Sequence, residues 1–173
     1  MYFASKHIME RIVKNTYKKT FLFLVSISIS LLSLGESGNA HKAQWIKVVS
    51  SNELNDSNFY SVATDSCGNV YAAGYIRGTG TFTFSPGVTI QGAHRCPNAV
   101  LVKYSPSGIV QWAKNISSPG SPHDSSFHSV ALDSRNNVYV GGFIEGTETY
   151  TFSKGITTKG TSSHYNALVV KYS

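Results

Sequence analysis

Cys67, Cys96 and the histidines near them are the side chains best equipped for chemistry in this chain of 173 residues. His94-Arg95-Cys96 and His164 offer imidazole and thiolate ligands that suit Zn²⁺ or Cu. A structural site of that kind needs four ligands, and this set names three. No metal or other cofactor is therefore expected. His123 and His128 lie in a Pro/Ser/Gly-rich connector that fixes neither near the others. Serines, histidines and aspartates are all present, but no nucleophile-elbow spacing joins them into a hydrolytic triad. Glu145 and Glu148 have no further carboxylate that the sequence forces close, so the carboxylate pair of a glycosidase is not expected either. No glycine-rich phosphate loop leads into a helix. A non-enzymatic protein is the expectation, with a metal-dependent activity around His94, Cys96 and His164 as an alternative.

The elements that would position these residues come from an internal repeat. Shifted by 68 positions, Asn58–Ser105 falls on Ser126–Ser173 without a gap, and 26 of the 48 pairs are identical. One copy opens Phe59-Tyr-Ser-Val-Ala-Thr-Asp-Ser-Cys-Gly-Asn-Val-Tyr and the other Phe127-His-Ser-Val-Ala-Leu-Asp-Ser-Arg-Asn-Asn-Val-Tyr. Upstream, Gln44-Trp-Ile-Lys matches Gln111-Trp-Ala-Lys. Repeats of about 58–125 and 126–173 follow, with 44–49 as a candidate closing strand.

Strand and turn signals are dense within a repeat. Ser61–Asp65 and Val70–Ile76 flank a hairpin turn whose third residue is Gly68 in one copy and Asn136 in the other. Those two types best tolerate a left-handed backbone, so a positive φ is expected there. Ala99–Tyr104 and Ile109–Ile116 flank Ser105-Pro106-Ser107-Gly108, which suits a type I turn. Thr81–Phe84 and Thr149–Phe152 alternate and predict an extra hairpin near 79–91 in the first copy. Ala99–Val102 does not alternate and predicts a strand covered on both faces. The fold class is all-β, with four-stranded antiparallel sheets, and a sheet apolar on both sides must stack against others like it.

Charge and the N-terminus bound the setting. Residues 1–40 hold five Lys/Arg against two Glu, leaving ten against seven over the rest. So small a surplus is no nucleic-acid footprint, and no nucleic-acid partner is expected. Five basic residues precede the uncharged run Phe21–Leu34, and small residues follow at Gly38 and Ala40. This is a signal-peptide pattern over residues 1–40, shorter than the roughly 20 apolar residues of a spanning helix. The mature domain of 41–173 is expected to be exported, secreted or in the cell envelope, with no membrane contact once the leader is cleaved. An uncleaved tether is the alternative.

Asp65-x-x-Gly68-Asn69-Val70-Tyr71-x-x-Gly74, Asn98-Ala-Val-Leu-Val-Lys103-Tyr104, Gly108 and Trp112 resemble the seven-bladed β-propeller (SBBP) repeat of bacterial exported proteins. The second copy supplies Asp133, Asn137-Val-Tyr139, Gly142 and Asn166-Ala-Leu-Val-Val-Lys171-Tyr172. The resemblance implies propeller blades and no catalytic motif. Two departures stand out: each unit is longer than a compact blade of 40–50 residues, and two blades are present rather than about seven. Two blades cannot close a ring, since propellers have 4–8. Either several chains form a homo-oligomer that completes the ring, or the chain is a remnant of a longer propeller protein, or two blades stack unaided.

Residues repeated in both copies serve the blade. The paired Asp65 and Asp133 are expected to accept backbone hydrogen bonds in their own turns. Cys67 and Cys96 fall near opposite ends of one strand, roughly 20 Å apart, too far for a disulfide. Tyr75/Phe143, Phe82/Tyr150 and Phe84/Phe152 either offer stacking platforms or fill gaps between blades. The variable segments 91–97 and 159–165 are the expected loops for a protein or glycan ligand, with Gln91, His94, Arg95, Lys159, His164 and Tyr165 as contacts.

Overall fold

The computed structural model describes residues 41–52, 55–116 and 123–173. The candidate leader at 1–40 lies outside them. No helix occurs among the described residues, and none is long and apolar enough to cross a membrane. The protein is all-β, built from antiparallel sheets, none of which closes on itself among the described residues.

In the first repeat β2 (Asp56–Thr64), β3 (Val70–Gly78), β6 (His94–Tyr104) and β7 (Val110–Asn115) form a four-stranded sheet in the order β2-β3-β6-β7. Inserted between β3 and β6 is the expected hairpin, β4 (Thr81–Ser85) and β5 (Val88–Gln91), joined on its outer side by β1 (Ser50–Ser51). The second repeat gives β8 (Ser125–Leu132), β9 (Val138–Glu145) and β12 (Tyr165–Tyr172), paired in the order β12-β9-β8, with β10 (Thr149–Ser153) and β11 (Ile156–Lys159) as its hairpin.

The turns follow their residues. Gly68 and Asn136 have φ of 77° and 61°, the left-handed region expected of both. Gly108 N–H donates to the Ser105 carbonyl at 2.9 Å, closing the Pro106 turn. Asp65 Oδ1 accepts from the N–H groups of Cys67 and Asn69 at 3.0 and 2.9 Å, and Oδ2 accepts from the Asn69 amide. Asp133 repeats this with Arg135 and Asn137. The expected role of the two aspartates is borne out.

Packing differs between the repeats although their sequences match. Ala99, Val100, Leu101 and Val102 are all fully buried, as a strand covered on both faces should be. One face of the first sheet, with Tyr71, Ala73, Ala99 and Leu101, meets Phe127, Val130, Val138, Val140 and Ile144 of the second. The other face packs under the first hairpin, through Ala72, Ile76, Val100, Val102 and Tyr104 against Phe82, Phe84 and Ile90. In the second sheet only one face is covered, so the side chains of β12 alternate between exposed and half-buried. Both-sided burial therefore fails for this sheet, because nothing among the described residues lies over its outer face. Polar bonds also tie the sheets together: Val130 N–H donates to Ser61 Oγ at 3.1 Å, and Ala99 N–H to Ser125 Oγ at 3.0 Å.

Two expectations are modified. Residues 44–49 form no strand in the single chain. Instead Trp45 stacks on Tyr104, ring centroids 5.9 Å apart, and its Nε1–H donates to the Pro106 carbonyl at 3.1 Å. His94–Pro97 are not loop residues but the start of β6. A wide bulge pairs Arg77 with Pro97 and Gly78 with His94, so Arg95 and Cys96 are the extra residues between them. A proline there removes no needed ladder bond. The equivalent segment of the second repeat is a turn up to His164, with strand only from Tyr165.

Candidate functional site: a stripe of rings beside an acidic cluster

The first strand of each repeat carries a β-bulge at the same place, between Phe59 and Ser61 in β2 and between Phe127 and Ser129 in β8. The residue left over is Tyr60 in one and His128 in the other, and a bulge re-aims such a side chain. The bulge brings the strand backbone so close to β3 and β9 that the facing residue must be glycine. A Cβ on Gly74 would collide with the Asn58 carbonyl, and one on Gly142 with that of Ser126.

Both re-aimed rings join aromatics from neighbouring strands. Tyr75 lies 5.8 Å from Tyr60, Tyr60 4.8 Å from His128, His128 5.5 Å from Phe143, and Phe143 4.6 Å from Tyr165, measured between ring centroids. These spacings and tilted or edge-on angles are those aromatic pairs favour. The stripe thus crosses from one repeat to the other. Tyr60 is 51% and Tyr165 63% exposed, and His128 is exposed too. At one end the Tyr75 hydroxyl donates to Asp56 Oδ2 at 3.0 Å. Burial first, and this carboxylate second, push the Tyr75 phenol up from its ordinary value.

A second group of polar side chains gathers where β9 meets the segment entering β8. Asp124 N–H donates to Glu145 Oε2 at 3.0 Å, and Glu145 N–H donates back to the Asp124 carbonyl at 2.9 Å. His123 sits between two carboxylates, 3.9 Å from Glu145 and 3.4 Å from Glu148. Burial, then the neighbouring Glu145 charge, raise the Asp124 carboxyl above its usual range. Burial and the Asp124 charge likewise hold the Cys96 thiol up, which keeps it protonated and a poor nucleophile or soft ligand at neutral pH. Tyr150 is pushed up to about 12, chiefly by burial and then by Glu148 and Glu145, while its hydroxyl donates to the Glu145 carbonyl at 2.6 Å.

The residues singled out from sequence are dispersed. Tyr165 joins the ring stripe. Gln91 ends β5 and is spent on its own hairpin, bonding Thr81 Oγ1 at 2.8 Å and the Thr79 carbonyl. Arg95 offers its carbonyl to Arg77 Nε at 3.0 Å. Lys159 ends the exposed β11. His164 lies in a turn pinned by Asn166, whose amide donates to the carbonyls of His164 and Ser162; its Nδ1 lies 3.2 Å from Ser163 Oγ. His94, Cys96 and His164 are not brought together: among the described residues no three His, Cys, Asp or Glu side chains converge on a metal-holding point. Cys67 and Cys96 are not bonded to each other. Phe82, Phe84, Tyr150 and Phe152 are buried core, whereas Tyr75 and Phe143 form part of the stripe.

Sequence reasoning missed Tyr60, the role of His128, which it left in a connector although it lies in β8, and the approach of Asp124 to Glu145. A signal existed for the first two, since they occupy one repeat position and both carry rings. Neither a scan against models of known protein families nor a search of curated proteins finds a match to this chain.

Proposed function

We propose that the protein is an exported, non-enzymatic module of two propeller-type blades that binds a glycan along the Tyr75–Tyr60–His128–Phe143–Tyr165 stripe. The observation that carries this reading is the stripe itself. Its rings are contiguous across both repeats, partly exposed, and aimed outward by two bulges that each require a glycine. Aromatic faces stack on the C–H faces of sugar rings, and tyrosine adds a polar tip for hydroxyl groups. Rings this exposed contribute little to the core, so the fold itself gives no reason to keep a row of them.

Binding fits better than catalysis because Cys96 and Glu145, a thiol and a carboxylate suited to chemistry, lie outside the stripe and are held by their own neighbours. The Cys96 thiol is held protonated, and Glu145 is bonded to backbone and beside His123. The four-stranded first repeat and the three-stranded second, each with its inserted hairpin, support the blade reading.

The test is a glycan array probed with the parent chain and with Tyr60→Ala and His128→Ala. Each variant removes one exposed ring and should fold normally. Binding to a defined set of polysaccharides, weakened at least about tenfold by either variant, is the expected result. Absence of binding to any arrayed glycan, or binding unchanged in both variants, overturns the reading.

A further inference from the structure

We infer that copies of this chain join head to tail, the open face and edge of β12 in one copy docking on the Gln44–Val49 segment and the β2 face of the next. This goes beyond what the ring stripe binds and does not depend on it. The contact between the two sheets within the chain shows what such a junction looks like, and the chain carries both of its halves again, unpaired.

Equivalent positions make the comparison direct. Leu101 is buried in the junction at 0% exposure, whereas its counterpart Val169 is 78% exposed. Val130 is 8% exposed under the first sheet, whereas its counterpart Val62 is 67% exposed. Ala99 is buried and Ala167 is exposed. One half of a junction, with Ala167 and Val169, thus lies on the second sheet, and the complementary half, with Val62, lies on the first.

The edge of β12, which pairs with β9 alone among the described strands, follows the same logic. Beside β12 a groove of about 470 Å³ is lined by Ile156, Thr158, Leu168 and Val170. In the first repeat the corresponding space beside β6 holds β7, which also contacts the hairpin strand β5. The chain contains a second β7-like sequence: Gln44-Trp-Ile-Lys-Val-Val-Ser-Ser matches Gln111-Trp-Ala-Lys-Asn-Ile-Ser-Ser. That segment already sits on the first sheet as β7 sits on the second. Trp45 stacks on Tyr104, and Val49 packs on the same face. Correspondingly Trp112 and Ile116 belong to the cluster containing Tyr172. Ile46 and Val48 are 78% and 79% exposed, and 44–49 pair with no described strand in their own chain. The segment is placed against the next sheet but lacks its hydrogen-bonding neighbour.

The occupant is therefore a second copy. The segment packs on the face of the first sheet that looks away from the second, so β12 of its own chain is screened from it by the sheets themselves. The register follows from β6–β7, where Leu101 faces Lys114, Val102 faces Ala113 and Lys103 faces Trp112. Transposed, Val169 of one copy faces Lys47 of the next, Val170 faces Ile46 and Lys171 faces Trp45. Such a heterologous contact closes into a ring if the rotation allows and otherwise continues as a filament. Rings of two, three or four copies would hold four, six or eight sheets, within the range that propellers use.

The test pairs Lys47→Cys with Val169→Cys in the full chain, Cys67 and Cys96 having been replaced by Ser. Oxidation should give disulfides between chains, and chains carrying one introduced thiol each should cross-link only when mixed. Without oxidant, light scattering should give a mass of several chains, and Val169→Asp or Val62→Asp should reduce it to one. Both positions are exposed in the single chain, so each variant should keep its circular dichroism spectrum. A single-chain mass at high concentration, or a bridge between positions 47 and 169 formed within one chain, overturns the inference.

Discussion

Each of the two turn aspartates gathers backbone and side-chain donors onto one carboxylate, and this makes the fold sensitive to acid. Tyr139 and Tyr71 complete the two sets by donating to Oδ2 at 3.1 and 3.3 Å. Hydrogen bonds from Asn137 lead in holding Asp133 down to about 2. Burial pushes Asp65 up, but the bonds from Asn69, Cys67 and Tyr71 outweigh it and leave it lowered. A depressed folded-state value means that the unfolded chain binds the proton more readily. For Asp133 the stabilisation is then present above about pH 4 and disappears as pH falls through about 2. Asp124 works with the opposite sign, since its raised value makes the fold lose stability as pH rises through the window just above the ordinary carboxylate range. Urea titrations from pH 2 to 7 should show a stability loss on the acid side that is shallower in Asp133→Asn. That variant should be less stable than the parent at neutral pH and nearly equal to it at pH 2. A parallel displacement of the whole curve would refute the assignment.

Strands and bulges set the next scale. Gly74→Ala and Gly142→Ala put a methyl group into a backbone carbonyl, so each should cost about 3 kcal/mol or more, the upper end for overpacking. Gly87 and Gly155 have φ of 81° and 78° with open space around the missing Cβ. Alanine there should cost only the backbone strain of the left-handed region, about 1–2 kcal/mol. Urea midpoints of the four variants test the ranking, and equal losses would remove the bulge as the reason for the two inner glycines. This difference also marks what the sequence could convey. Strands, hairpins and turns were legible because each signal is local: alternation in Thr81–Phe84, Gly68 exchanging with Asn136, Pro106 before Gly108. The partners of a bulged residue are not local. Nothing near Tyr60 in sequence specifies His128 as its neighbour, and Asp124 meets Glu145 only once β8 has paired with β9. Nor could matching sequences reveal that Leu101 and Val169 differ in burial, because that depends on which sheet finds a covering neighbour.

At the scale of the whole molecule, the ring stripe and the head-to-tail junction combine in one expectation. A single chain offers one stripe, and the bulged strands β2 and β8 recur in every copy of an assembly, so an assembly presents several stripes at fixed spacing. A polymer long enough to engage more than one stripe binds with an effective concentration set by that spacing, which can strengthen binding by roughly 10²- to 10⁴-fold without a new contact. An oligosaccharide that fills only one stripe gains nothing. Val169→Asp should therefore weaken binding to a long polysaccharide by at least about tenfold while leaving the affinity for a short oligosaccharide of the same sugar unchanged. Tyr60→Ala should weaken both. Calorimetry with the short ligand, alongside surface binding with the polymer, separates the two effects. If Val169→Asp weakened the oligosaccharide as much as the polymer, position 169 would belong to the binding surface itself, and the stripe would have to extend along β12 rather than recur around an assembly.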